Sequence, residues 1–92
     1  AFAILPGGLG TLDETFEILT WKQLELHDKP IVLVNIEGFW DPLTALIDAQ
    51  IETNYVRAKH RSLYEVATNV NDIIPTIRAM PPARFSLESK WL

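Results

Sequence analysis

The run from Ile31 to Ile36 is apolar at every position except Asn35 and is flanked by Pro30 and Gly38. A strand-length run with no polar face belongs in a parallel sheet covered on both sides. Parallel strands in turn need crossover connections, usually helices, and the chain supplies three strand-then-helix units in succession. The first is Ala1 to Leu5, the turn Pro6-Gly7-Gly8-Leu9-Gly10, and a helix from about Thr11 to His27. In the second, the strand Ile31 to Ile36 leads to a helix with Asp41 as N-cap, Pro42 at its first position and an end near Asn54. Its residues Leu43, Leu46, Ile47, Gln50 and Ile51 form one stripe for the sheet. The third pairs a strand around Leu63 to Thr68, interrupted by Glu65, with a helix from about Asp72 to Met80. Asn71 is its expected cap, Ile73, Ile74, Ile77 and Met80 face inward, and Pro75 is tolerated in the first turn. Pro81-Pro82 ends that helix, and the tail to Leu92 has no period. The expected fold class is α/β, a parallel sheet of three βα units flanked by helices, over residues 1–80, with 81–92 an irregular tail.

Composition narrows the partners. Eight Lys and Arg against twelve Asp and Glu give a net charge of −4, which offers no basic footprint for nucleic acid or anionic lipid. No apolar run approaches the roughly 20 residues of a membrane helix, and no basic stretch precedes the first apolar run as in a signal peptide. The absence of cysteine excludes thiolate chemistry and fits a reducing compartment, so a cytoplasmic location is expected. A chain of 92 residues reads at first as one small domain, yet it opens inside an apolar strand without an initiator Met. The expectation is that the numbering begins partway through a larger fold.

The first helix is apolar on more than one side. Leu12, Phe16, Leu19, Gln23 and Leu26 form one face, while Ile18, Trp21 and Leu24 spread around the cylinder. Such a helix is either central to a core or lies between the sheet and another subunit.

Three glycines in five positions between a strand and a helix suit an anion. Glycine permits positive φ and close approach of backbone N–H groups, and the helix start adds partial positive charge. No Gly-Lys-Ser/Thr follows, and Asp13 stands where G-x-G-x-x-G has its third glycine, so the common nucleotide loops are excluded. A ligand-free tight βα turn is the alternative. Thr11-Leu12-Asp13-Glu14 also reads as a capping box, with Thr11 as N-cap and Glu14 reaching back to its N–H. From spacing alone, Glu14 is either that cap or a carboxylate facing the cleft.

Pro6-Gly7-Gly8-Leu9-Gly10-Thr11-Leu12-Asp13-Glu14 resembles the PGGxGTxxE motif of the LOG family, the cytokinin riboside 5′-monophosphate phosphoribohydrolases, also labelled "possible lysine decarboxylase". The resemblance continues through Thr20-Trp21, His27-Asp28-Lys29-Pro30, Gly38-Phe39-Trp40-Asp41-Pro42-Leu43 and Asp48, and covers residues 1–80. It implies a Rossmann-like fold, homodimeric or larger, that hydrolyses the N-glycosidic bond of a nucleoside 5′-monophosphate such as AMP or its N6-prenylated form. Base and ribose 5-phosphate are the products. Gly7, Gly8, Gly10 and Thr11 match the family's phosphate-binding positions and Glu14 its catalytic glutamate. A carboxylate there suits the chemistry, because loss of the base leaves positive charge on the ribose. The family's catalytic arginine and nucleobase pocket lie upstream of the motif and match no position in this sequence. The 92 residues alone are therefore expected to be inactive. No cofactor is implied. The decarboxylase label fails chemically, since a pyridoxal enzyme needs a Schiff-base lysine and nothing around Lys22, Lys29, Lys59 or Lys90 suggests one.

Other residues admit blander readings. His27 and His60 have no partner at metal-ligand spacing, and no metal site is expected. His27 suits the dipole at the end of the first helix, and His60 lies in a basic connector, Arg57 to Arg61. Trp21, Phe39 and Trp40 could stack on a base, but beside apolar helices they read as core or interface. Glu37 follows the second strand, where dinucleotide-binding folds place a ribose-binding acid. It supports the alternative of a noncatalytic nucleotide-binding module. A third possibility is a segment serving mainly subunit assembly through the first helix.

Overall fold

The computed structural model describes residues 1–80. Strand β1 (Phe2–Ile4) leads to helix α1 (Leu9–Gln23), strand β2 (Ile31–Val34), helix α2 (Asp41–Glu52), strand β3 (Glu65–Ala67) and helix α3 (Ile73–Ala79). Short 3-10 turns at Ile36–Gly38, Ala58–Leu63 and Val70–Asp72 join them. All strands are parallel, in the order β1-β2-β3, with Phe2 beside Ile31, Ile4 beside Leu33 and Val34 beside Ala67. This is the expected α/β, Rossmann-like arrangement. Pro81-Pro82 and the tail lie outside the described residues.

The alternation of side chains assigns the faces of the sheet. Ile4, Ile31 and Leu33 pack in one cluster with Leu19 of α1, Leu43 of α2, Trp40 and Tyr64, so α1 and α2 share a face. Both crossovers therefore run in the same sense. Val32 and Val34 fall to the other face, where α3 packs on β2 and β3. All four β2 side chains are fully buried, each worth about 1.5–3 kcal/mol over exposure. The central run thus has the two-sided burial its composition demands.

Element ends differ from expectation for identifiable reasons. α1 stops at Gln23 rather than His27 because Glu25 takes a left-handed φ of 62°. The Leu26 N–H then donates to Trp21 O and the Glu25 N–H to Lys22 O, the double bond pattern of a Schellman end. Asn54, at φ 68°, ends α2 in the same way. α2 begins at Asp41 itself, with Trp40 as N-cap, and Leu46 on its stripe is half exposed. β2 is two residues shorter than expected. The N-cap of α3 is Asp72, not Asn71, and Asn69 caps the 3-10 turn before it: its Oδ1 accepts the Asp72 N–H at 3.0 Å, while Nδ2 donates to Asp72 Oδ2 at 2.8 Å. Ile74 of α3 points to solvent.

His27 lies beyond α1 and works as a clip rather than a cap on the dipole. Its Nδ1 accepts the Lys29 N–H at 3.1 Å, so Nε2 carries the hydrogen donated to Ile18 O at 3.0 Å. Its ring meets Phe2 edge-on at 5.6 Å. The turn between α1 and β2 is thereby fastened to the sheet.

Candidate active site

The site forms where β1 ends and α1 begins, at the carboxyl edge of the sheet. Gly8, with extended backbone, is the N-cap of α1, and no side chain caps the helix start. The first intrahelical bond runs from the Leu12 N–H to Gly8 O at 3.1 Å. The preceding N–H groups, on Leu9, Gly10 and Thr11, have no carbonyl within the helix to donate to and point out of its positive end.

The capping box is overturned by this start point. α1 opens two residues before Thr11, so Thr11 is the third helical residue and Glu14 falls beyond the first turn. The Glu14 carboxylate is exposed and is not committed to the Thr11 backbone. Helical spacing puts it on the side of the cylinder that carries Gly10 and Thr11. Thr15 takes the inward place beneath: its side chain is 1% exposed and its hydroxyl donates to Thr11 O at 2.6 Å.

The glycines serve by leaving space, not by adopting positive φ. Gly38 is the one glycine in the left-handed region among the described residues. A Cβ on Gly7 would run into the side chain of Thr11, so glycine there lets Thr11 lie against the turn. Gly8 and Gly10 are exposed, and a Cβ on either would meet nothing within 4 Å. Their bare backbone keeps the approach to the N–H groups open. Gly7, Gly8, Gly10, Thr11 and Glu14, the residues singled out in the sequence, thus gather at one helix end.

A second turn follows β2, the strand next to β1, at the same edge of the sheet. The Asn35 N–H donates to Ala67 O at 2.7 Å, extending the path of β2 by one residue. Its side chain then spans the following loop: Oδ1 accepts the Trp40 N–H at 2.7 Å and Nδ2 donates to Asp41 Oδ1 at 2.8 Å. Between them Glu37 and Gly38 are both left-handed, at φ 51° and 75°. A Cβ on Gly38 would come within 2.7 Å of Asp41 Oδ2, so this turn requires glycine twice over. The Asn35–Asp41 pairing was not singled out in the sequence, where the only trace was one Asn ending an apolar run. Trp40 is a core residue at 1% exposure, whereas Phe39 and Trp21 are half exposed.

The remaining candidates lie elsewhere. A cleft of about 530 Å³ opens at the opposite, amino end of the sheet, beside Pro30 and Glu65, and is lined by Lys22, Lys59 and His60 among others. His60 is half-buried there, not solvated as a connector, and its Nδ1 has no hydrogen-bond partner among the described residues. Partial burial holds the Lys22 ammonium below its ordinary pKa, against the opposing charge of Asp28. Lys22 is nevertheless far along the sheet from the glycine turn, and Lys90 lies outside the described residues. Burial also raises the Tyr64 phenol, with Asp48 adding to it. No group of three or more His, Asp or Glu able to hold a metal occurs among the described residues.

Parallel strands alternating with helices around a buried central strand, with a glycine turn at the first strand-to-helix junction, define an α/β domain of the Rossmann-like class. Comparison with known proteins gives the family. The model of the family described as "Possible lysine decarboxylase" matches residues 1–77, and the chain belongs to this family, the LOG group that the motif resembles. It is 37% identical over 90 residues to a protein of Oryza sativa subsp. japonica named "Probable cytokinin riboside 5′-monophosphate phosphoribohydrolase", covering 98% of this chain and 37% of the relative. Two cytokinin riboside 5′-monophosphate phosphoribohydrolases of Arabidopsis thaliana are similar at 36% over 92 residues and 33% over 92 residues, covering 43% and 40% of their lengths. The chain spans about two fifths of the length of these relatives.

Proposed function

We propose that the full-length protein containing this chain hydrolyses the N-glycosidic bond of a nucleoside 5′-monophosphate, AMP or an N6-prenylated form, to the free base and ribose 5-phosphate. The observation that carries this reading is the uncapped start of α1 with the exposed Glu14 carboxylate one turn further on. The names of the relatives supply the substrate class. In this reading the N–H groups of Gly8 to Thr11 hold the 5′-phosphate, and the bare Gly8 and Gly10 admit it. The sugar then extends toward Glu14. As the C1′–N bond breaks, its electron pair leaves with the base and positive charge grows on the ribose, where the Glu14 carboxylate stabilises it. Glu14 also orients the water that adds to C1′, and the proton lost by that water is balanced by the one the base gains. No cofactor enters the scheme.

We further propose that residues 1–80 are the carboxyl-terminal part of one such domain, a reading supported by relatives more than twice as long. A homo-oligomer formed through α1 accounts for the exposed Phe16, Trp21 and Leu24 on that helix. Trp21→Ala in the full-length protein is expected to sediment as a smaller species; an unchanged assembly sinks that interface. Neither nucleic acid nor membrane is proposed as a partner, given the acidic balance, and no described helix is long and apolar enough to cross a membrane. We assign the cytoplasm on the cysteine-free sequence.

The test is incubation of AMP with the full-length protein. Equal amounts of adenine and ribose 5-phosphate are expected. Nucleotide that binds and is recovered intact after hours would instead favour a noncatalytic nucleotide-binding module.

A further inference from the structure

We infer that Glu37 binds the ribose hydroxyls of the nucleotide held at the glycine turn, and that the Asn35–Asp41 pair is the device that positions it. The inference rests on the function proposed above. Its first support is topological. β1 and β2 are adjacent and parallel, with Ile4, the last residue of β1, beside Leu33, so the chain leaves both strands at the same edge of the sheet, into the glycine turn after β1 and the Asn35–Asp41 loop after β2. The loop carrying Glu37 and the glycine turn therefore follow neighbouring strands at one edge of the sheet. In dinucleotide-binding folds, whose glycine turn is of a different sequence, the acid that follows the second strand meets a ribose, and Glu37 holds the corresponding place in the order of elements.

The second support is how firmly the loop is set. Asn35 is held through three hydrogen bonds, to Ala67 O, from the Trp40 N–H and to Asp41 Oδ1, all between 2.7 and 2.8 Å. Trp40 anchors the far side of the loop in the core, and the Phe39 ring packs edge-on against it at 5.0 Å. Within this frame an exposed glutamate occupies a left-handed backbone that disfavours any residue but glycine. Nothing in the packing requires a carboxylate there. A ribose vicinal diol offers two O–H donors to a carboxylate, which accepts both. The 5′-phosphate sits at the other end of the sugar, so the acid and the phosphate are separated by the ribose itself.

The experiment compares AMP, 2′-deoxyAMP and 3′-deoxyAMP on the full-length protein, read as kcat/KM for base release. Glu37→Gly suits the positive φ and removes the carboxylate without adding strain. It is expected to lower kcat/KM for AMP about tenfold or more while leaving at least one deoxynucleotide within twofold, so that the preference for the hydroxyl collapses. Asp41→Ala is expected to weaken the same preference and Asp41→Asn, which keeps an acceptor for Asn35, to restore it. Equal losses on all three nucleotides, or an unchanged preference, overturn the inference. Should the wild type release no base from AMP, the hydrolase reading fails by itself. The same three nucleotides in equilibrium binding then decide the role of Glu37 by the same ratio.

Discussion

Glu14→Gln in the full-length protein is expected to lower kcat for base release from AMP about 10²- to 10⁴-fold, with KM within a few-fold of the wild type. The split follows from where the side chain stands. In the proposed function phosphate affinity comes from backbone N–H groups at the start of α1, which this substitution leaves in place. Glutamine keeps the size and one carbonyl oxygen but loses the negative charge that the proposed mechanism sets against the developing cation on the ribose. Had Glu14 been the partner in a capping box, its loss would have appeared in stability and scarcely in turnover. Because α1 starts at Leu9 and the carboxylate is free of the cap, the thermal midpoint of Glu14→Gln is expected to stay within a degree or two. A fall in KM-linked affinity with unchanged kcat would move Glu14 from the chemistry to binding.

The largest effect on stability is expected at Trp40. Its side chain is almost wholly buried among Ile4, Leu19, Leu33 and Leu43, and Trp40→Ala leaves a cavity costing about 3–5 kcal/mol. The indole Nε1 is buried without a hydrogen-bond partner among the described residues. Trp40→Phe removes that orphaned group while keeping most of the ring, and is expected to recover more than half of the loss. Denaturant unfolding of the full-length protein measures both. A Trp40→Phe variant as unstable as Trp40→Ala would mean that the indole N–H has a partner supplied by the rest of the protein.

The architecture was legible because β2 announces itself. Four consecutive large apolar residues can be satisfied only by cover on both faces, and that requirement forces parallel neighbours and helical crossovers. The glycine turn was legible as three glycines between a strand and a helix, whereas spacing left Glu14 open between a cap and a carboxylate facing the cleft, and only the resemblance to the LOG motif points to the second. What spacing could not give was the helix start: Thr11 and Glu14 satisfy the capping-box pattern, and Gly8 also makes a good cap, so the choice falls to tertiary packing of Leu12 and Thr15 beneath the turn. The end of α1 escaped for a related reason. A Schellman end is usually marked by glycine, but here it uses Glu25, which carries no such signal. The Asn35–Asp41 bridge joins side chains six residues apart across a kinked turn, a contact with no sequence period. Trp40 looked like any aromatic next to an apolar helix until the fold turned it inward while Phe39, its neighbour, stayed at the surface.

In the proposed function backbone N–H groups at the start of α1 grip a 5′-phosphate so that Glu14 meets the sugar. Base release by the full-length protein from AMP and from adenosine, side by side under identical conditions, tests this. Binding energy from the phosphate is spent at the reacting bond, so kcat/KM for AMP is expected to exceed that for adenosine by about a hundredfold or more. Adenosine cleaved as fast as AMP would contradict it.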